Sequence, residues 1–265
     1  MKMKFDKVLV PVDGSLLSDI SVDLAVNSAG VFATHLTFVY VVDVNECRKF
    51  GTVDPQMELY RSRTEGKLAL EHAVKMAEKA GIPYDMILCE GAPWEKITEM
   101  SKEMDMIIMA VTGKSGIGSG RIGSTAEKVI ENSFCPVLTL KSGSRKIESI
   151  LLPVENENMA AIDVAIETCK RINGSITVFS VKGKNLDAES LVNKVASKCE
   201  AEGLKVNKEI GEGDIVESII GRSGMYDLVI MGTVRRGTLT KILNGSIAER
   251  VMTNASCPVT IVRDI

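Results

Sequence analysis

A short apolar run that ends in a glycine-rich loop is the most informative pattern in the chain. Met106–Val111 reads MIIMAV, which has the length and bulk of a buried strand. After Ser124, the residues Ala126, Val129 and Ile130 recur at helical spacing and predict a helix with one buried face. Between the two elements lie glycines at positions 113, 116, 118, 120 and 123.

This order of strand, glycine loop and helix start is typical of a phosphate-binding site. Glycine lets the backbone approach an anion closely, and the first N–H groups of a helix have no helical acceptor. Gly123, Ser124 and Thr125 are therefore predicted to hold phosphate oxygens through their N–H groups and hydroxyls. The alternative is that Ser124 only caps its helix, as serine does routinely.

Apolar runs and helical patterns alternate through the rest of the first half. Such alternation predicts an α/β fold, with a parallel sheet, helices on both faces and right-handed crossovers. The stretch from 43 to 64 is polar and turn-rich and shows no clear element. Two roles remain as alternatives for it, a lid over the ligand and an interface loop. The other predicted strands are Lys7–Val12, Leu36–Val42, Tyr84–Cys89 and Pro136–Leu140, and further helices follow Asp13-Gly14-Ser15, Thr64 and Gly91.

The second half of the chain repeats the first. Gly123-Ser124 matches Gly245-Ser246 at a shift of 122 residues, and Cys135-Pro136-Val137 matches Cys257-Pro258-Val259 at the same shift. The repeat predicts two domains, 1–142 and 147–265, joined by a short polar linker. The shift between Pro11-Val12 and Pro153-Val154 is 142 residues, so the first copy is longer by 20, mostly within 44–64.

Composition and charge narrow the class of protein. The 265 residues are 45% hydrophobic and 25% charged, as in an ordinary globular protein. We expect no membrane association and a cytoplasmic location, because no apolar run reaches the ~20 residues of a membrane span and the N-terminus does not resemble a signal peptide. A net charge of −3 argues against a general nucleic-acid binder.

Cysteine and histidine do not suggest a metal site. The chain has six cysteines without a CxxC pair, and only two histidines, His35 and His72. Cys135 and Cys257 occupy equivalent positions just before a strand, so we expect buried thiols there. Any magnesium ion is expected to be carried by the phosphates of a nucleotide and by water.

The glycine loop resembles that of the universal stress protein family, whose pattern is Gly, two residues, Gly, nine residues, then Gly-Ser or Gly-Thr. Each copy departs from this pattern at one glycine. The resemblance covers nearly the whole chain and implies two tandem Rossmann-like domains of the adenine nucleotide alpha hydrolase type, each with a five-stranded sheet of order 3-2-1-4-5. The matching positions are Ala110, Gly113, Gly123 and Ser124 in the first copy, and Gly232, Arg235, Gly245 and Ser246 in the second.

The resemblance also implies an adenine nucleotide, AMP or ATP, as the ligand of the first copy. It places the carboxylate of Asp13 near the ribose and the backbone of Val41 at the adenine edge. The residue chemistry leaves alternatives, since Asp13 can cap a helix, Val41 can be a core residue, and Lys114 and Arg121 can either neutralise phosphate or be solvated. The candidate ligand-binding residues are Pro11, Val12, Asp13, Val41, Ala110, Gly113, Lys114, Gly123, Ser124 and Thr125.

The second copy is a weaker candidate for binding. Glu155 stands where Asp13 stands, and Arg235 replaces a glycine. We expect a non-catalytic protein, because no Gly-Lys-Ser/Thr closes the loop and no catalytic base is singled out by its spacing. A slow ATP hydrolase and a ligand-free interaction module are the rival readings. The family resemblance further implies an intrachain pseudo-twofold domain pair, and a homodimer is also expected.

Overall fold

The computed structural model describes residues 5–29, 34–47, 54–112, 122–140, 146–183, 187–233 and 247–263. The chain forms two compact units, which divide between Val137 and Leu138; the amino-terminal half is called unit one and the carboxyl-terminal half unit two. The predicted domain limits, 1–142 and 147–265, involve residues outside the described ranges and stay predictions.

The first half alternates strands and helices as its sequence predicts. Its strands lie in the order β3-β2-β1-β4-β5, which confirms the predicted order 3-2-1-4-5. β1 pairs in parallel with β2 and with β4, and β2 pairs in parallel with β3. The elements are β1 (Lys7–Pro11), α1 (Leu16–Asn27), β2 (His35–Asp43), α2 (Val44–Cys47), α3 (Pro55–Ala80), β3 (Tyr84–Gly91), α4 (Pro93–Met100), a 3-10 turn (Ser101–Glu103), β4 (Met106–Ala110), α5 (Ser124–Asn132) and β5 (Val137–Leu140).

The second half has the same strand order, which confirms the duplication. Its strands lie in the order β8-β7-β6-β9-β10, and the four neighbouring pairs are all parallel. The elements are β6 (Ser149–Pro153), α6 (Met159–Ile172), β7 (Ser175–Val181), α7 (Ala188–Ala201), β8 (Lys205–Gly211), α8 (Ile215–Ser223), β9 (Leu228–Thr233), α9 (Ile247–Asn254) and β10 (Val259–Arg263).

Helices cover both faces of the sheet in unit one. The consecutive residues Val8, Leu9 and Val10 of β1 are all fully buried, although neighbouring side chains of a strand point to opposite faces. Given the strand order, right-handed crossovers place α1 and α3 on one face and α4 and α5 on the other. The contacts agree, because α1 packs against α3 and α4 packs against α5.

A carboxylate at the start of the fourth strand joins it to the first strand in each unit. Asp105 Oδ2 accepts hydrogen bonds from the N–H groups of Asp6 and Lys7, at 2.8 and 2.9 Å. Asp227 Oδ2 accepts from the N–H groups of Glu148 and Ser149 in the same way, at 3.1 and 3.0 Å. The duplication has therefore kept a structural contact as well as the strand order.

The described parts of the polar stretch from 43 to 64 contain helix that the sequence did not predict. They contain α2 and the first turns of α3, which begins at Pro55 and not near Thr64. The side chain of Asp54 caps the helix by accepting the N–H of Gln56, and Pro55 occupies its first position, where proline is well tolerated. The prediction that this helix begins only after Thr64 was wrong.

All six cysteines are free thiols. Cys135 is buried, as predicted, whereas Cys257 is partly exposed. Burial, with a smaller contribution from the Asp105 carboxylate, raises the pKa of Cys135 to about 12. Burial and Asp227 likewise raise the pKa of Cys257 to about 12.

Candidate functional site

A cavity of about 480 Å³ opens at the carboxyl ends of β1, β2 and β4 in unit one. This is the edge at which parallel α/β sheets collect ligands, next to the point where the strand order reverses. The strand ends and the loops that follow them line part of the cavity. Residues of α2 and α3 line it from one side of the sheet, and residues of α4 and α5 line it from the other.

The first turn of α5 faces this cavity without a side-chain cap. Gly123 is the N-cap residue, with φ −66° and ψ 144°, and as a glycine it offers no side-chain acceptor to the turn. Its N–H donates to the carbonyl of Val111 at 2.9 Å, which fixes the approach of the chain. Ser124 is the first helical residue, so the alternative that it caps the helix is wrong. The first-turn N–H groups and the positive end of the helix dipole can receive an anion there.

Asp13 lies on the cavity wall directly after β1. Its Oδ1 accepts the N–H of Ser15 at 2.9 Å, and its own N–H donates to Ser18 Oγ at 3.1 Å. Ser15 caps α1, because its hydroxyl accepts the N–H of Ser18, so the alternative that Asp13 is the cap is wrong. These bonds fix the position of a half-buried carboxylate at the cavity wall, and carboxylate oxygens accept hydrogen bonds.

The structure brings most of the candidate residues together around this one cavity. Val12 extends the strand pairing beyond β1, since its N–H donates to the carbonyl of Val39 at 2.8 Å. Gly113, Lys114 and Arg121 lie outside the described residues. The candidates that line the cavity are Pro11, Val12, Asp13, Val41, Ala110, Gly123, Ser124 and Thr125.

A set of carboxylates on the cavity lining was not found by sequence reasoning. Besides Asp13, these are Asp43 at the end of β2, Glu46 of α2, and Glu58 and Glu65 of α3. The lining residues that the structure describes include no lysine, arginine or histidine. The signal that could have located them is Asp54-Pro55, a helix start followed by Glu58, Ser62 and Glu65 at helical spacing.

The described carboxylates are not arranged as a metal site. No three aspartate, glutamate, histidine or cysteine side chains within the described ranges are grouped to hold a metal ion. Nor does any helix in the described part of the chain have the length and apolar content to cross a bilayer.

The equivalent region of unit two is built differently. A Cβ added at Gly232 would overlap the carboxamide of Asn158, so this glycine makes room for a side chain. Asn158 caps α6, with Oδ1 accepting the N–H of Ala161 at 3.0 Å, while its Nδ2 is buried and has no hydrogen-bond partner among the residues that the structure describes. Glu155 is exposed, and Arg235, Gly245 and Ser246 lie outside the described residues.

Comparison with known proteins finds several universal stress proteins that are similar to this chain. A universal stress protein of Methanocaldococcus jannaschii is 35% identical over 147 residues, which are 54% of this chain and 85% of the relative. One of Mycobacterium tuberculosis is 23% identical over 285 aligned positions, 97% of this chain and 96% of the relative. The crystal structure of a universal stress protein from Archaeoglobus fulgidus has the same fold, with a TM-score of 0.83, 20% identity and 98% of each chain covered.

The family's own sequence pattern extends over both units. The model of the universal stress protein family matches residues 4–141 and 183–263, which are most of the chain. The first segment spans the first repeat, and the second covers the second repeat from the end of β7 onward. The chain therefore belongs to the universal stress protein family.

Proposed function

We propose that unit one binds an adenine nucleotide, AMP or ATP, and that the protein acts in a stress response or in regulation without catalysing a reaction. One observation carries this proposal. The first turn of α5, which has no side-chain cap, and the carboxylate of Asp13 line the same cavity at the ligand-binding edge of the sheet. An anionic group and a hydroxyl-bearing group of one small molecule can therefore be held together.

Three sets of cavity residues suit the three parts of the nucleotide, namely the phosphates, the ribose and the base. The N–H groups and hydroxyls of Ser124 and Thr125 suit the phosphates, whereas the Gly123 N–H is already bonded to the carbonyl of Val111. Asp13 suits the ribose hydroxyls as a hydrogen-bond acceptor, and Val41 presents its backbone to the base edge. When a magnesium ion accompanies the nucleotide, it supplies charge neutralisation at the phosphates.

The proposal of a non-catalytic role rests on the spacing of the loop. No Gly-Lys-Ser/Thr closes it at the start of α5, where a P-loop places its phosphate-binding lysine. We also propose that the protein forms a homodimer and that it is cytoplasmic. Light scattering on the purified chain measures its molar mass and so tests for the homodimer.

Calorimetric titration with AMP and with ATP tests the proposal. We expect wild-type protein to bind with a Kd below about 1 mM, and a Gly123→Val, Ser124→Ala variant to bind at least about tenfold more weakly. Ser190→Ala is the matched control, because Ser190 is an exposed first-turn serine of α7 in the other unit. Wild-type protein that binds neither nucleotide at millimolar concentration contradicts the proposal.

A further inference from the structure

The longer segment of the first copy supplies one side of the cavity. α3 has 26 residues, whereas α7, which follows the second strand of unit two, has 14. In the described part of unit two, no helix lies between β7 and α7, where unit one has α2. The extra residues of α3 include Glu58, Ser62 and Glu65, which all line the cavity. In the described part of the chain, only the first copy therefore has this wall.

Close helix packing fixes this wall. Glu58, Ser62 and Glu65 follow the spacing i, i+4 and i+7, which places them on one face of α3. Gly66 lies beside that face and packs against the ring of Tyr40 and against Leu88, while Leu70 continues the contact into the core. The polar face therefore stays at a set position over the end of β2.

The cavity is electrically asymmetric. On the α4–α5 side of the sheet, both helices start at the cavity without a side-chain cap, so their positive ends face it. On the α2–α3 side, the lining is mostly carboxylates, with the Ser62 hydroxyl and the Cys47 thiol beside them, and Glu58 makes no ion pair with any residue that the structure describes. A bound molecule is therefore oriented with its anionic end at α5 and a hydrogen-bond-donating end at α3.

An ionised carboxylate accepts hydrogen bonds and donates none. A ligand carbonyl facing Glu58 would leave two acceptors opposed, whereas an amino group would donate to the carboxylate. We infer that the α3 face, through Glu58 and Ser62, selects a purine that carries an exocyclic amino group over its 6-oxo counterpart. This inference rests on the proposed nucleotide site, and it assigns specificity to the segment that only the first copy possesses.

Comparing AMP with IMP tests the inference, because the two share the ribose and the phosphate. The fluorescence of Trp94, the single tryptophan, reports binding, since it lies at the start of α4 beside Pro93 of the cavity lining, with its ring 5.1 Å from Lys128 of α5. We expect wild-type protein to bind AMP at least about tenfold more tightly than IMP. In Glu58→Gln and Ser62→Ala proteins, that ratio should fall to about threefold or less.

Glu71→Gln is the matched control, because Glu71 is an exposed carboxylate of the same helix outside the cavity lining. Its AMP-to-IMP ratio should equal that of the wild type. If wild-type protein binds AMP and IMP equally, or if Glu58→Gln with Ser62→Ala leaves the ratio unchanged, the inference is overturned while the nucleotide site survives. If neither nucleotide binds, both the proposed function and the inference fail.

Discussion

Gly66 of α3 lies so close to Tyr40 of β2 that a Cβ at Gly66 would come within 2.5 Å of a carbon of the tyrosine ring. This contact holds α3, and with it one side of the cavity, against the sheet. It also explains a glycine in the interior of a long helix, where glycine is otherwise unfavourable. The close approach gives the first testable consequence.

We expect Gly66→Ala to lower the free energy of unfolding by about 1–2 kcal/mol, because the overlap with Tyr40 outweighs the better helix propensity of alanine. Urea unfolding measures the change. Gly221→Ala in α8 is the control, since a Cβ there meets no atom within 4 Å. That substitution should stabilise the protein by about 0.5–1 kcal/mol, and equal effects at the two positions would contradict the packing account.

The second prediction concerns the Asp105 carboxylate, which joins β1 and β4. Asp105→Ala removes the acceptor of the Asp6 and Lys7 N–H groups, so we expect a loss of about 1–3 kcal/mol of unfolding free energy. Thermal or urea unfolding detects such a loss. Asp23→Ala, at an exposed position of α1, should change stability by less than about 0.5 kcal/mol. A harmless Asp105→Ala protein would show that this contact does not stabilise the sheet.

A third prediction concerns the dependence of stability on pH through Cys135. Burial raises the pKa of its thiol from 9.0 to about 12 in the folded protein. Above its unfolded pKa, the unfolded chain loses this proton while the folded chain keeps it, so stability falls as pH rises between about 9 and 12. Cys135→Ala should flatten this fall. Urea unfolding of both proteins at about pH 8 and about pH 10.5 tests this prediction. If both proteins lose the same unfolding free energy between the two pH values, the assignment is contradicted.

The fourth prediction concerns the close contact between Asn158 and Gly232 in unit two. Gly232→Ala forces the Asn158 side chain away and weakens the cap of α6, so we expect a loss of about 1–2 kcal/mol of unfolding free energy. Asn158→Ser keeps a capping oxygen in a smaller side chain. In that background, the cost of Gly232→Ala should be at least halved. Additive costs of the two substitutions would mean that the side chains do not share this space.

The sequence predicted the parts of the fold that local patterns encode. Runs such as Met106–Ala110 are apolar because both faces of the strand are covered, and the repeat at a shift of 122 residues showed the two units directly. The predicted lining of the cavity followed from the glycine loop and from Asp13. These features depend on neighbours in sequence or on the repeat itself.

Features that depend on tertiary contacts were missed. The first turns of α3 carry polar residues because they face the cavity and solvent, so hydrophobic periodicity does not mark them. Ser124 and Asp13 both have chemistry suited to helix capping, but Gly123 and Ser15 occupy the cap positions. At Gly232, no local pattern indicated that the side chain of Asn158, the cap residue of α6, occupies the space beside the glycine.

The central claim is that the first turn of α5 in unit one receives the phosphate of an adenine nucleotide. Backbone amide NMR of the full chain during titration with AMP tests it most directly. We predict that the signals of Gly123, Ser124 and Thr125 shift progressively with AMP concentration, together with that of Asp13. AMP binding that leaves these four signals in place, or no binding of AMP or ATP at all, would contradict the account.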